Sequence, residues 1–208
     1  MTAVNPIELN LKDNGLSDKV RIHIDEPMAS GWFCHELSRR LMGHAVNKTR
    51  PVILLCIGTD RSTGDCLGPL VGSKMSTSGQ EFFKVFGTLD QPVHASNLGG
   101  KLKEIQDNYQ DPFIIALDAC LGNLDNVGCI TIGDGSLQPG AGVNKRLPPV
   151  GHIHITGIVN VGGFMEYIVL QNTRLNIVMR IADTIVKGFH DTIALYNGNE
   201  FQKEAQEI

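Results

Sequence analysis

Two short and wholly apolar runs place the strongest constraint on how this chain can fold. Residues 52–57 read VILLCI and residues 113–117 read FIIAL, which is typical of strands buried on both faces of a sheet. Residues 127–132 and 152–161 also favour strands, and segments with helical spacing of apolar residues lie between the strands. Strands that alternate with helices predict an α/β fold, in which helices cover both faces of a mainly parallel sheet.

The segments between the strands are predicted to be helices, because apolar residues recur along one side of each segment. The predicted helices are residues 28–46, 64–78, 96–108, 164–171 and 175–196. A chain of 208 residues is long enough for one domain with a sizeable core. We therefore expect a single α/β domain over residues 20–208, preceded by a flexible polar arm over residues 1–19.

Composition argues against several classes of protein. The net charge is -4 and no long Lys/Arg cluster is present, so a nucleic-acid partner is not predicted. No apolar segment reaches the length of a membrane span, and the N-terminus lacks the pattern of a secretory signal. A cytoplasmic protein without a membrane partner is therefore expected. The five cysteines lack CxxC spacing, which favours reduced thiols over structural zinc or a disulfide framework.

An aspartate follows each of the two most apolar strands. Asp118 comes directly after residues 113–117, and Asp65 lies at the start of the helix that follows residues 52–57. Because the carboxyl ends of neighbouring parallel strands meet at one edge, the two carboxylates are expected to lie close together. They could share one proton and act as general base and general acid, or they could hold a divalent cation. Equally, Asp118 could cap the turn after its strand, and Asp65 could cap its helix.

Three histidines are candidate metal ligands beside the aspartates. His152 and His154 stand two residues apart on a predicted strand, so both side chains lie on one face and could chelate a metal. His94 lies near another predicted strand end and is the third candidate. Histidines that alternate on a half-exposed strand are more often plain surface residues, so both interpretations stay open.

Two thiols offer a different chemistry. Cys66 and Cys120 follow the aspartates by one and two residues, and either could supply a nucleophile together with a nearby histidine. Free cysteines in such positions are more often small buried apolar residues. The sequence therefore favours the aspartates over the thiols as the reactive groups.

Further polar residues could bind substrate or support the aspartates. They are Thr59 and Asp60 in the loop after the first apolar run, Lys145 and Arg146 in the loop 133–151, and Glu166. The basic pair could reach over the site and bind a peptide carbonyl or carboxylate, or could be a solvated surface pair. Glu166 is expected in the first turn of a helix, where stabilisation of the helix N-terminus explains it as well as catalysis does.

Three motifs resemble those of the spore germination proteases, which degrade small acid-soluble spore proteins. IGTDRSTGDCLGP, residues 57–69, resembles their G-x-G-N-x-x-x-T-P-D-A-L-G-P stretch, and Asp65 matches the aspartate. ALDACLG, residues 116–122, resembles their second aspartate motif I-D-A-L-A, and Asp118 matches its aspartate. ITIGDGSLQPGAGVNKR, residues 130–146, resembles their loop I-T-D-T-G-I-x-P-G-S-G-V-x-N-K-R. The three motifs occur in the same order and at compatible spacing.

A shorter family of sporulation proteins, typified by YyaC, is a closer match. Residues 156–175, TGIVNVGGFMEYIVLQNTRL, resemble its characteristic segment. The hydrogenase maturation endopeptidases are more distant relatives, whose G-x-G-N-x-x-x-x-D-[DE]-x-x-G loop aligns with the same positions. The resemblance implies a three-layer α/β/α fold of the phosphorylase/hydrolase-like type. Two departures are Thr59, where these families have Asn, and Gly64, where the germination proteases have Pro.

The resemblance implies a peptidase of sporulation or germination that cuts a peptide bond through Asp65 and Asp118, with no cofactor expected. The alternative is a non-enzymatic sporulation factor that kept the fold and binds a peptide or protein partner. In the hydrogenase maturation enzymes the equivalent carboxylates recognise nickel together with a histidine. A metal held by Asp65, Asp118 and a histidine is therefore a third interpretation. The oligomeric state, including a homo-oligomer, is left open.

Overall fold

The computed structural model describes residues 19–46, 49–139 and 147–204, so most of the predicted arm and the pair Lys145 and Arg146 lie outside the described residues. The strands are β1 (Val20–His23), β2 (Val52–Cys56), β3 (Phe83–Phe86), β4 (Phe113–Gly122), β5 (Cys129–Asp134) and β6 (Ile153–Val161). The helices are α1 (Ala29–Gly43), α2 (Leu67–Ser76), α3 (Leu98–Asn108), α4 (Glu166–Gln171) and α5 (Leu175–Glu204). None of the helices in these ranges combines the length and the apolar character needed to cross a membrane.

All six described strands belong to one sheet, in the order β1-β5-β6-β4-β2-β3. β4 pairs in parallel with β2 and with β6, and β2 pairs in parallel with β3. β5 is antiparallel to both of its neighbours, β1 and β6, so it alone runs against the other described strands. The mainly parallel sheet predicted from the apolar runs is thereby confirmed.

Neighbouring residues of β2 show how helices cover both faces of the sheet. Leu54 belongs to a large apolar cluster that includes residues of α1, α2 and α5. Leu55 points to the opposite face and belongs to a second cluster, which includes residues of α3. Both leucines are fully buried, and each such burial contributes about 2 kcal/mol. The predicted α/β/α layering is confirmed, and it explains why β2 is apolar at every position.

The boundary of one strand differs from the prediction in a way that matters for the site. β4 continues past residue 117 to Gly122, so Asp118 lies inside the strand rather than after it. The extension arises because β6 keeps pairing with β4 as far as Gly122 and Val161, with a bulge after Cys120. The pairing with β2 ends earlier, at Leu117. Asp118 is therefore the first residue of β4 beyond the part that β2 covers.

Several other elements begin later than predicted, and for two of them the backbone gives the reason. α4 begins at Glu166 rather than at residue 164, because Met165 has the left-handed φ of 48° and cannot belong to a right-handed helix. β6 begins at Ile153 rather than at His152, directly after the φ of 101° at Gly151. His152 is consequently outside the strand on which it was predicted.

Candidate active site

A tight turn after β2 fixes the position of Asp65. The chain leaves β2, forms a loop, and enters one turn of 3-10 helix at Gly64–Cys66 before α2 begins. The backbone N–H of Thr59 donates to the carbonyl of Asp65 at 3.0 Å, and the N–H of Asp65 donates to the carbonyl of Ser62 at 3.0 Å. Gly58 has a φ of 141°, and a methyl group there would lie 2.0 Å from the Asp65 carbonyl oxygen. Only glycine permits this close approach.

The other side of the turn packs against the segment that joins α4 to α5. A methyl group at Gly64 would lie 2.8 Å from Leu170 Cδ2 and 2.8 Å from Thr173 Oγ1. Thr173 is buried, and its hydroxyl donates to the carbonyl of Val169 at 2.8 Å. Asp65 is thus held between the end of β2 and α4.

Asp118 reaches the same edge of the sheet from β4. The last backbone bond between the chain of β2 and β4 runs from the Ile57 N–H to the Leu117 carbonyl at 2.7 Å, and Asp118 follows immediately. Asp118 pairs in register with Thr156 of β6. Its side chain is buried, with 8% of the residue exposed, and Oδ1 accepts a hydrogen bond from the Ala119 N–H at 2.8 Å.

The two carboxyl groups influence each other electrostatically, and both hold a proton more tightly than usual. Burial raises the pKa of Asp65 to about 6, against the opposing effect of the Thr59 backbone N–H. Burial also raises the pKa of Asp118 well above its ordinary value, and the negative charge of Asp65 raises it further. Near neutral pH the pair therefore favours one ionised and one protonated carboxyl group.

Thr59 and Asp60, in the loop after β2, support the turn through local contacts and not through an ion pair with Arg61. The Thr59 hydroxyl accepts a hydrogen bond from the Arg61 N–H at 3.3 Å and contacts Asp60 Oδ1 at 3.5 Å. Asp60 is exposed, and within the described residues it forms no ion pair with Arg61. Glu166 begins α4, as predicted, and its Oε1 accepts a hydrogen bond from the Gly163 N–H at 3.4 Å.

Two of the candidate metal-ligating histidines have partners of their own in the structure. His152 stacks on Phe113 with ring centroids 4.8 Å apart, and its Nδ1 accepts a hydrogen bond from the Ile114 N–H at 3.0 Å. His154 is buried, and its Nδ1 lies 3.2 Å from the carbonyl of Gly135. Across residues 19–46, 49–139 and 147–204, no three His, Cys, Asp or Glu side chains are grouped closely enough to hold a metal ion.

His94 lies at the same edge as the aspartates, but its ring contacts a neighbouring serine. Its neighbour Val93 pairs with Ile57 and accepts the Gly58 N–H at 2.8 Å, which places His94 beside the loop after β2. The His94 Nδ1 lies 2.9 Å from the Ser96 hydroxyl. The ring therefore shapes the start of α3 in this structure.

The two thiols are poor nucleophiles. Burial raises the pKa of Cys66 and of Cys120, and in each case the negative charge of a neighbouring aspartate raises it further. The Cys66 thiol donates to the carbonyl of Thr63 at 2.9 Å. Both cysteines therefore stay in the unreactive thiol form at neutral pH.

Sequence reasoning missed the polar residues that connect the two aspartate segments. Thr156 lies opposite Asp118, and Asn160 donates to the Thr173 hydroxyl at 3.2 Å. The bulge in β6 places Asn160 opposite Leu121 and leaves Val159 without a partner in β4. No local pattern marks a bulge of this kind, although the neighbouring glycines of residues 157–163 are a weak signal.

Comparison with known proteins found a matching family model, a similar protein sequence and a similar solved structure. A family described as "Protein of unknown function (DUF1256)" has a model that matches residues 21–188. The chain is 54% identical over 155 residues to "Uncharacterized protein YyaC" of Bacillus subtilis (strain 168), which is 74% of each protein. A crystal structure of the NiFe hydrogenase maturation protease HycI from Thermococcus kodakarensis KOD1 is similar, with a TM-score of 0.43 and 16% identity. That alignment covers 74% of this chain and 97% of HycI.

Proposed function

The chain belongs to the family described as "Protein of unknown function (DUF1256)", and we propose that it hydrolyses peptide bonds with the carboxyl pair Asp65 and Asp118. One observation carries the proposal. The buried carboxyl group of Asp118 and the half-buried one of Asp65 lie at the edge where β2 stops pairing with β4, and the pKa of each is raised by its surroundings. Paired titratable groups whose environments separate their proton affinities are typical of acid–base catalysts.

The difference between the two carboxyl groups assigns their roles. Asp65, with a pKa raised to about 6, is ionised at neutral pH and accepts a proton from a water molecule. That water's oxygen forms a bond to the carbonyl carbon of the substrate. Asp118, which is buried and keeps its proton, donates it to the departing amine nitrogen as the C–N bond breaks. Return of the proton from Asp65 to Asp118 restores the starting state.

We propose that this reaction proceeds without a bound cofactor, because a pair that holds one proton already supplies both the base and the acid. The check is hydrolysis in the presence of a strong chelator of divalent metals. Unchanged activity is expected. Loss of activity that a divalent metal restores would instead identify Asp65 and Asp118 as metal ligands.

The proposed setting is the cytoplasm of a sporulating cell or spore, and the proposed substrate is a peptide or protein. Both rest on the motifs at Asp65 and Asp118 that resemble the germination proteases. The test is incubation of spore-protein extract with wild-type protein and with Asp118→Asn, followed by mass spectrometry. New peptides are expected only with the wild type.

A matched control separates catalysis from a general effect of losing a carboxylate. Asp107 is exposed on α3, so Asp107→Asn should produce the same peptides as the wild type. If Asp118→Asn also produces them, the carboxyl pair is not the catalyst. If no variant and no wild-type protein produces peptides, the non-enzymatic binding protein becomes the better account.

A further inference from the structure

β4 is longer than β2, and its last residues leave one backbone edge without a partner strand. In a strand, successive residues direct their backbone groups to alternate sides, so Ala119 and Leu121 face the same side as Leu117. The Leu117 carbonyl accepts from Ile57, and the Ala119 N–H is taken by Asp118. The pairing of β2 with β4 ends at Leu117, and among the described residues no backbone bond from a loop or turn reaches the Ala119 carbonyl or either backbone group of Leu121.

This open edge is within reach of solvent, since residues 119–122 are half-buried. Unpaired N–H and C=O groups along a strand are a template for pairing with another extended chain. The edge presents a carbonyl at Ala119, and an N–H and a carbonyl at Leu121. These groups lie directly beyond Asp118 in the same strand.

A second feature next to this edge is an apolar groove at the end of β6. The groove is shallow and open to solvent, with a volume of about 480 Å³ between residues 160–162 and α4, and no charged side chain lines it. Its rim carries large apolar side chains that face solvent, with 79% of Phe164 and 45% of Ile168 exposed. Met165 is also exposed, and its left-handed φ of 48° is a strained conformation for a non-glycine residue. Contiguous exposed apolar surface of this kind marks a binding site.

The groove is joined to the open edge and to the turn that carries Asp65 by direct packing contacts. Gly162 lines the groove, and a methyl group there would lie 3.1 Å from Leu121 Cβ at the open edge. Asn160 lines the groove as well and donates to Thr173, whose hydroxyl lies against Gly64 in the turn that carries Asp65. A ligand that pairs with the edge therefore lies beside both the groove and the carboxyl pair.

We propose that this surface binds an extended polypeptide, which pairs by its backbone with residues 119–121 of β4 and places a large apolar side chain in the groove beside α4. The inference rests on the proposed function only in locating the scissile bond near Asp65 and Asp118. The open edge selects the occupant, because its alternating carbonyl and N–H groups match an extended backbone. The uncharged lining selects an apolar side chain over a charged one.

The test measures binding rather than cleavage, with Asp118→Asn protein and short fluorescein-labelled peptides of Gly and Ser that carry one central Phe. Fluorescence anisotropy should give a dissociation constant about tenfold lower for the Phe peptide than for the peptide with Ser in its place. Ile168→Ser should remove this preference. Met42→Ser, at an even more exposed apolar position on α1, should keep it. Circular dichroism and thermal unfolding confirm that each variant is folded.

Backbone pairing is tested with two further peptides, N-methylated at odd or at even residues. Only one set of amide groups faces the edge of β4, so one peptide should bind about tenfold more weakly and the other nearly as well as the parent. Equal effects of the two methylation patterns would overturn pairing with the edge. Equal binding of the Phe and Ser peptides, or no binding of either, would overturn the proposal.

The outcomes for binding and for hydrolysis are separable. Peptide preference without cleavage by the wild type would reject the proposed hydrolysis and retain this binding surface. Cleavage without any preference for an apolar residue would reject this binding surface and retain the proposed hydrolysis. Self-association that Ile168→Ser abolishes, in sedimentation of the unliganded protein, would identify a second copy of the chain as the occupant and overturn the proposal.

Discussion

At the scale of single residues, Asp65 and Asp118 differ in their access to water. The two carboxyl groups are therefore not equivalent acids. Asp118 is buried inside β4, whereas Asp65 lies in a turn and is half-buried. Both carboxyl groups lower the stability of the folded state when they ionise, because the unfolded chain solvates the charge better. The site is therefore maintained at a cost in stability.

The pKa of Asp65 predicts how that cost depends on pH. The pKa is raised from 3.8 to about 6 in the folded protein, so stability is highest below the unfolded value and falls as the pH rises through this window. Asp65→Asn, which cannot ionise, should be more stable than the wild type above pH 6 by on the order of 2 kcal/mol. The difference should shrink towards pH 4. Urea unfolding at both pH values measures it.

Asp107→Asn provides the reference for this measurement, because an exposed carboxylate should change stability by less than about 0.5 kcal/mol at either pH. A loss of stability in Asp65→Asn that is the same at both pH values would contradict the prediction. It would mean that the carboxylate is needed for hydrogen bonding in the turn rather than penalised by burial.

The residues of the site show what a sequence can and cannot reveal. Asp65 and Asp118 were predicted to share an edge because each follows an apolar strand. The structure places them there, and the negative charge of Asp65 raises the pKa of Asp118. Asn160 and Thr173 could not be found, because their contact depends on a bulge in β6 and on the docking of α4. Local sequence carries no information about such long-range register.

At the scale of elements, the turn between β2 and α2 depends on the absence of a side chain at Gly64. Gly64→Ala would place a methyl group 2.8 Å from Leu170 Cδ2 and Thr173 Oγ1. The turn must then shift away from α4, which should cost about 1–3 kcal/mol of stability. Displacement of Asp65 should also reduce peptide hydrolysis at least about tenfold. Urea unfolding and the mass-spectrometric assay measure the two effects.

Gly99→Ala is the matched control for this substitution. A methyl group at Gly99, in α3, meets no atom within 4 Å, so stability should stay the same or rise by up to about 1 kcal/mol. Full activity in Gly64→Ala would show that the contact with α4 does not position Asp65.

A buried arginine connects α1 to β5. Arg40 is 2% exposed, and its guanidinium contacts Glu36 Oε1 at 2.8 Å and also the carboxylate of Asp134 in β5. Arg40→Ala leaves buried negative charge without this partner and should lower the free energy of unfolding by about 3 kcal/mol. Arg39→Ala removes a half-exposed contact with Glu36 and should cost less than about 1 kcal/mol. Equal costs in urea unfolding would show that Arg40 does not join the two elements.

At the scale of the whole molecule, the protein is held together by packing rather than by covalent links between segments. All five cysteines are free, and four of them are buried, and their spacing predicts reduced thiols. The thermal unfolding midpoint should therefore be the same with and without a reducing agent. A higher midpoint without the reductant, together with a faster-migrating band on a non-reducing gel, would contradict this prediction.

The overall architecture was predictable to the level of layers but not to the level of strand order. Apolar runs such as residues 52–57 predict a strand covered on both faces, and the two clusters around Leu54 and Leu55 confirm it. The antiparallel direction of β5 was not predicted, because its sequence, CITIGD, is compatible with either direction. Direction follows from the connections to β4 and β6, which lie outside the segment itself.

The position of β1 has a consequence for how the protein is made. Val20 pairs with Ile132, so the first described strand can join the sheet only after β5 has been synthesised. At about 5–20 residues per second, the ribosome takes roughly 5–20 s to cover that interval. During this time the apolar side chains of Ile22 and Ile24, buried in the finished protein, have no sheet to join. The nascent chain therefore exposes these apolar side chains for longer than a protein built from local contacts does.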